Sequence, residues 1–317
     1  MTLTSISRRT ASATIAAMLT LMLAACGAVP AATVSPPAPT DSGGALPTPS
    51  ASASPSTEEQ PRIALPVDPG STVEGLVDVD GHDIYARCAG DGSPTVVYFV
   101  GWAGDPGDPP LHATAIAAGI ESALGPEFRV CSYERRNTGR SESVEGTQSP
   151  EDVIADADGI LAALGEDGPF LLLGASFGGV VASAYAVAHP ERVAGVVLLD
   201  ASTGVDYDID EMNGFQGPCL EANRKIDAFD TLEKIDNCSL AKWIHDRRDR
   251  EPDVPLLYLA AQNPSDRGTE TEDVMRIAWV ESWSPGTWRV VSAPHWMDAA
   301  DTGLVADAVG EVVDLAQ

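Results

Sequence analysis

A serine hydroxyl is a poor nucleophile at neutral pH, so a serine that does chemistry needs a base to take its proton and a carboxylate to orient the base. The chain offers a candidate for each part. Ser176 stands in Gly174-Ala175-Ser176-Phe177-Gly178-Gly179, directly after Leu171-Leu172-Leu173. A β-like run from Pro169 to Leu173, then Gly-x-Ser-x-Gly, then a helical pattern from Val180 to Ala188 predict a strand-to-helix turn too tight for a Cβ at either glycine. Such a turn lifts the hydroxyl out of a sheet and leaves the Phe177 N–H at a helix N-terminus, where it can bind an oxyanion. A glycine-rich turn can also merely pack a helix on a sheet; the flanking strand and helix are what favour a nucleophile.

The base is sought among five histidines. His82 sits at a predicted hairpin, His112 opens a helix, His189 precedes Pro190 at a helix end, and His245 lies among charges; each reads as a surface or capping residue. His295 follows the last predicted strand in Val291-Ser292-Ala293-Pro294-His295-Trp296, on a loop before the final helix, where a base can face the turn. Two acids compete. Asp200 ends the apolar strand Gly195-Val196-Val197-Leu198-Leu199, and an acid there points to the carboxyl edge of a sheet, where ligands bind. Asp266, in Asn263-Pro264-Ser265-Asp266, lies in the loop after the next strand. A strand end fixes a side chain better than a Pro/Ser loop, which favours Asp200.

These groups need a sheet to carry them. β-like runs are expected at Val73 to Val79 and His82 to Cys88, joined by the hairpin signal Asp80-Gly81, then at Thr95 to Val100 and Phe128 to Tyr133. Further runs are expected at Val193 to Leu199, Val254 to Ala261 and Trp288 to Val291. Helices are expected at about Leu111 to Leu124 and from Ser149-Pro150 to Gly165, with Ser149 as the cap. Strands alternating with helices imply right-handed crossovers and a mostly parallel sheet covered on both faces. Between Ala201 and Pro252 the alternation breaks into a polar stretch with an amphipathic piece around Leu232 to Arg247. An insertion of that size after a strand reads as a lid, at about residues 201–252.

The folded part is expected over residues 62–317. Residues 1–26 read as an export signal: Arg8 and Arg9 form a positive start, Thr14 to Leu23 an apolar stretch, and Leu23-Ala24-Ala25-Cys26 its end. That tetrapeptide resembles the bacterial lipoprotein lipobox, which implies lipidation of Cys26 and a membrane anchor facing the extracytoplasmic side. Residues 27–61 are rich in Ala, Pro, Ser and Thr and cannot bury enough surface to offset ordering entropy. As a disordered tether this segment would reach roughly 100 Å. The formal net charge of -28, from 19 Lys+Arg against 47 Asp+Glu, repels nucleic acid and excludes it as a partner. Besides Cys26 there are four cysteines, and an even number in an exported chain favours disulfides over metal ligands. Cys219 and Cys238 are expected to pair and pin the lid.

From about Val73 onward the chain resembles the α/β-hydrolase superfamily. Four pieces carry the resemblance: the Ser176 turn; the strand and loop Thr95-Val96-Val97-Tyr98-Phe99-Val100-Gly101-Trp102; the turn Tyr133-Glu134-Arg135-Arg136-Asn137-Thr138-Gly139-Arg140-Ser141; and Pro294-His295. Only the first is specific alone; the basic turn, read by itself, could be any surface loop. The resemblance implies an α/β-hydrolase fold whose second and fourth strands are neighbours, as a Cys88–Cys131 disulfide requires. It further implies that Trp102 and Phe177 supply the two oxyanion N–H groups. It also draws Asp200 and Asp266 closer together as candidates, since members place the acid at either position. The expected function is a serine hydrolase of esterase type acting on a small ester-like substrate with no metal or organic cofactor. A peptidase or other acyl-bond hydrolase of the same fold, or a catalytically silent binding module at the cell surface, are the alternatives.

Overall fold

The computed structural model describes residues 60–102, 112–214, 233–263 and 269–317. The stretch expected to be an export signal, with Cys26, the stretch up to residue 59 expected to be a tether, Cys219 and Asp266 lie outside the described residues.

Among the described residues eight strands form one sheet in the order β1-β2-β4-β3-β5-β6-β7-β8. They are β1 (Val73–Val79), β2 (His82–Ala89), β3 (Thr95–Phe99), β4 (Arg129–Tyr133), β5 (Phe170–Ala175), β6 (Val193–Leu199), β7 (Leu256–Ala261) and β8 (Gly286–Val291). β1 and β2 form a hairpin closed by Asp80-Gly81, both with left-handed backbone (φ 51° and 87°), as a two-residue turn between twisted strands requires. β2 also pairs antiparallel with β4, and from β4 to β8 every pairing is parallel. The resemblance is met on the strand order: β2 and β4 are neighbours, and Cys88 and Cys131, direct cross-strand partners, form a disulfide. Cys238 is also disulfide-bonded.

The inner strands are continuous apolar runs because both faces of the sheet are covered. Alternate residues of β3 divide between two cores. Val97 and Phe99 join Leu172, Val196 and Leu198 beneath α2 (Pro150–Ala163) and α3 (Phe177–Ala188). Val96 and Tyr98 join Leu171, Leu173, Val197 and Leu199 beneath α1 (Ala113–Leu124) and α8 (Thr302–Leu315). α2 starts as its sequence requires: the Ser149 side chain accepts from the Asp152 N–H, the Asp152 carboxylate accepts from the Ser149 N–H, and Pro150 follows the cap.

Within the stretch read as a lid, α4 (Val205–Met212) and α5 (Asn237–His245) belong to the described residues and pack on each other. α5 also packs on α3 and buries Leu240, Ala241 and Ile244, the apolar face of the expected amphipathic piece. Residues 215–232 of that stretch lie outside the described residues. Beyond β7 come α6 (Glu270–Val280), β8 and the short α7 (Met297–Ala300) before α8.

Candidate active site

Ser176 is the residue between the end of β5 and the first turn of α3, and its backbone is held at φ 49° and ψ -123°. A positive φ outside glycine costs on the order of 1–3 kcal/mol and persists only where surrounding structure enforces it. The Ser176 N–H donates to Leu199 O at 3.0 Å, and its own carbonyl accepts from the N–H groups of Gly179 and Ser202, each at 3.0 Å. The glycines make the turn possible. A Cβ at Gly178 would lie 1.9 Å from the carbonyl oxygen of Phe99, and one at Gly174 would lie 2.7 Å from the Gly179 Cα. The start of α3 is thus pressed against the end of β3, next to Gly101 and Trp102.

Asp200 is the first residue beyond β6. Its N–H donates to Leu259 O at 2.7 Å, and its Oδ1 accepts from the Ala261 N–H at 2.9 Å, which ties it to β7. Its Oδ2 lies 2.7 Å from His295 Nδ1, and His295 Nε2 lies 2.9 Å from Ser176 Oγ. The carboxylate is buried, with 3% of its side chain accessible, while the imidazole is 36% accessible. A carboxylate can only accept, so in the tautomer that satisfies both contacts Nδ1 donates to Asp200 and Nε2 accepts from the Ser176 hydroxyl. Three groups separated by 95 and 119 residues along the chain therefore form one continuous relay.

The loop bearing His295 is anchored one turn later. Tyr98 on β3 donates its hydroxyl to Asp298 Oδ2 at 2.5 Å, and both side chains are buried. Burial, reinforced by the Asp298 carboxylate, holds the Tyr98 phenol well above its ordinary pKa, so it stays a donor.

On the other side of Ser176, the ring of Trp102 meets that of Phe177 edge-on, with centroids 4.7 Å apart. The first N–H groups of a helix have no intrahelical partner, so the N–H of Phe177 stands where α3 begins. Behind these residues lies Arg135, from the turn that read by itself could be any basic surface loop. Its arginines are inside instead: Arg135 is buried because it meets Glu233, and Arg136 is buried against Asp156. Burial by itself would lower the Arg135 pKa, but the adjoining Glu233 carboxylate raises it beyond that, and the guanidinium remains charged. The sequence contained a partial signal in Glu134-Arg135-Arg136 directly after a wholly buried strand; for Glu233 it contained none.

The other histidines stand apart from the relay. His82 faces Glu142, His112 faces Glu134, His189 faces Asp158 and His245 faces Asp208. One grouping of possible metal ligands among the described residues is Cys88, Cys131 and Glu166. Its two sulfurs are bonded to each other and Glu166 pairs with Arg129 at 2.6 Å, so its donors are already engaged.

Residues 94–244 match a family model described as alpha/beta hydrolase fold. Over 124 residues the chain is 37% identical to the 2-hydroxymuconate semialdehyde hydrolase of Pseudomonas sp. (strain CF600), covering 38% of this chain and 43% of that protein. The chain spans less than half the length of the curated relatives it matches. Among solved structures it is similar to Est1E from Butyrivibrio proteoclasticus with ferulic acid bound, at a TM-score of 0.55 and 15% identity, covering 76% of this chain and 98% of that one. It is also similar to the enol-lactonase from Burkholderia xenovorans LB400, at a TM-score of 0.54 and 18% identity, covering 75% and 99% of the two chains. At such identities these structures bear on the fold alone.

Proposed function

From a chain that has the alpha/beta hydrolase fold, we propose a serine hydrolase that cleaves an ester or related acyl bond through an acyl-enzyme. The observation that carries this reading is the relay of 2.9 Å and 2.7 Å from Ser176 Oγ through His295 to Asp200. The hydrolase relative at 37% identity supports the reaction class.

Ser176 Oγ attacks the acyl carbon while His295 Nε2 takes its proton, and the resulting imidazolium is stabilised by Asp200. The carbonyl oxygen becomes an oxyanion facing the N–H groups of Phe177 and Trp102. Collapse expels the alcohol, which takes the proton from His295 and leaves the acyl group on Ser176. Water, activated in turn by His295, releases the acid and restores the hydroxyl. Carboxylic esters fit this scheme best because an alcohol leaves more readily than an amine. On matched p-nitrophenyl esters and p-nitroanilides of increasing acyl length, the esters are expected to turn over at least about 10²-fold faster. This margin is what one group's worth of general-acid assistance to a leaving group contributes. Faster cleavage of the anilides would replace the esterase with a peptidase-like enzyme, and no turnover of either series would leave a binding module.

We infer further that the chain is exported and lipid-anchored at Cys26. The support is the pattern of Arg8, Arg9, the apolar Thr14 to Leu23 and the closing Leu23-Ala24-Ala25-Cys26. Mass spectrometry of the membrane fraction from producing cells is expected to show a diacylated N-terminal Cys26. A chain retaining residues 1–25, or one with an unmodified cysteine, would end this assignment.

A further inference from the structure

Arg135 grips the loop opposite Ser176 at two consecutive carbonyls. Its Nη1 donates to Val100 O at 2.7 Å and its Nη2 to Gly101 O at 2.6 Å. The same guanidinium makes a two-point pair with Glu233, from Nε at 2.6 Å and from Nη2 at 2.7 Å. Both side chains are buried, 4% accessible for Arg135 and 0% for Glu233. None of these bonds involves Ser176, His295 or Asp200.

The consequence follows from peptide geometry. A trans peptide unit is planar, and its C=O and N–H point in opposite directions. Holding the carbonyls of Val100 and Gly101 toward Arg135 therefore turns the N–H groups of Gly101 and Trp102 away from it. The loop so oriented lies against the serine: a Cβ on Gly101 would be 3.2 Å from the Ser176 Cβ and 3.8 Å from its Oγ. The other oxyanion donor shares the same backing, because the Arg135 guanidinium lies 5.2 Å from the centroid of the Phe177 ring. Glu233 is itself fixed, since its carbonyl accepts from Asn137 Nδ2 at 3.1 Å and from Gln148 Nε2.

We propose that Arg135 is a positioning residue for the oxyanion hole, held in place by Glu233 from the segment between β6 and β7. This rests on the serine-hydrolase reading above. Four bonds to three acceptor groups from one planar fork are what an arginine supplies, whereas a lysine presents three donors from a single point and cannot span both a carboxylate and two carbonyls. Glu233 aligns the fork in addition to neutralising it, so removing Glu233 loosens the loop even though Arg135 remains.

The test uses the full chain with Arg135→Lys and, should that variant fold poorly, Glu233→Gln, each checked by thermal unfolding. Three quantities are read: kcat and KM on a p-nitrophenyl ester, and inhibition by a trifluoromethyl ketone of the same acyl group, which forms a tetrahedral oxyanion on Ser176. The matching methyl ketone, which stays planar, serves as the control. Loss of one oxyanion donor costs about 10²–10³-fold in kcat, so a displaced loop in Arg135→Lys is expected to cost about 10–100-fold. KM and the methyl ketone should change less than about 3-fold, and the trifluoromethyl ketone should weaken in step with kcat. Glu233→Gln is expected to move the same quantities in the same direction by a smaller factor. A folded variant that keeps kcat and trifluoromethyl ketone affinity, or loses both ketones equally, would overturn the assignment while leaving the serine hydrolase intact. Absence of turnover in the unaltered chain would overturn the hydrolase reading itself, and this one with it.

Discussion

Replacing Ser176 by alanine is expected to lower kcat on a p-nitrophenyl ester by about 10⁴-fold or more without unfolding the protein. The change deletes Oγ and nothing else. The three backbone hydrogen bonds that hold residue 176 at φ 49° use its N–H and C=O, which alanine keeps. Alanine also keeps the Cβ, so the strain of that backbone is nearly unchanged and the melting temperature should move little. Steady-state kinetics beside a thermal melt separates the two effects. A variant that melts normally and retains more than about a hundredth of the activity would remove Ser176 from the covalent step.

Asp200→Asn is expected to cost nearly as much, about 10⁴-fold in kcat, whereas Asp266→Asn should stay close to the unaltered chain. The physical reason is the second hydrogen bond of Asp200. Its Oδ1 accepts from the Ala261 N–H, so an asparagine would keep its carbonyl oxygen there and turn its NH₂ toward His295 Nδ1. Two donors cannot face each other, so the imidazole would shift its proton to Nε2, the atom that must receive the serine proton. The asparagine is nearly isosteric with the acid, and the loss would therefore be one of tautomer and not of shape. Parallel kinetics on the two variants decides the matter: inactivation by Asp266→Asn alone would transfer the role to that residue.

The sequence makes legible what near neighbours along the chain determine. The Asp80-Gly81 hairpin, the Ser149 cap and the glycines around Ser176 each involve residues within a few positions, where turn chemistry and steric limits act directly. His295 was legible for a related reason: it alone among the histidines follows a strand on a loop at the end of the alternating pattern. The acid was ambiguous because a strand end and a loop after the next strand both reach the same edge of the sheet; the backbone of β7, which binds Asp200 Oδ1, favours the strand end. The burial of the turn at Tyr133 to Ser141 is not legible from its charges, because the carboxylates that pair with Arg135 and Arg136 come from elsewhere in the chain. Glu233 reaches Arg135 across 98 residues, and no local pattern announces such a pair. Strand edges also moved modestly: β7 begins at Leu256 and β8 at Gly286, paired to each other, because cross-strand pairing and not apolar character sets where a strand starts.

In the proposed mechanism His295 and Asp200 make Ser176 the nucleophile. Reaction with a fluorophosphonate, followed by peptide mapping, reads this out, because the phosphonyl group transfers only to an activated hydroxyl and stays there. A single adduct on the peptide containing Ser176, not formed when the protein is denatured before labelling and slowed in parallel with turnover by Asp200→Asn, is the predicted result. An unlabelled folded protein, or an adduct on a different serine, would contradict it.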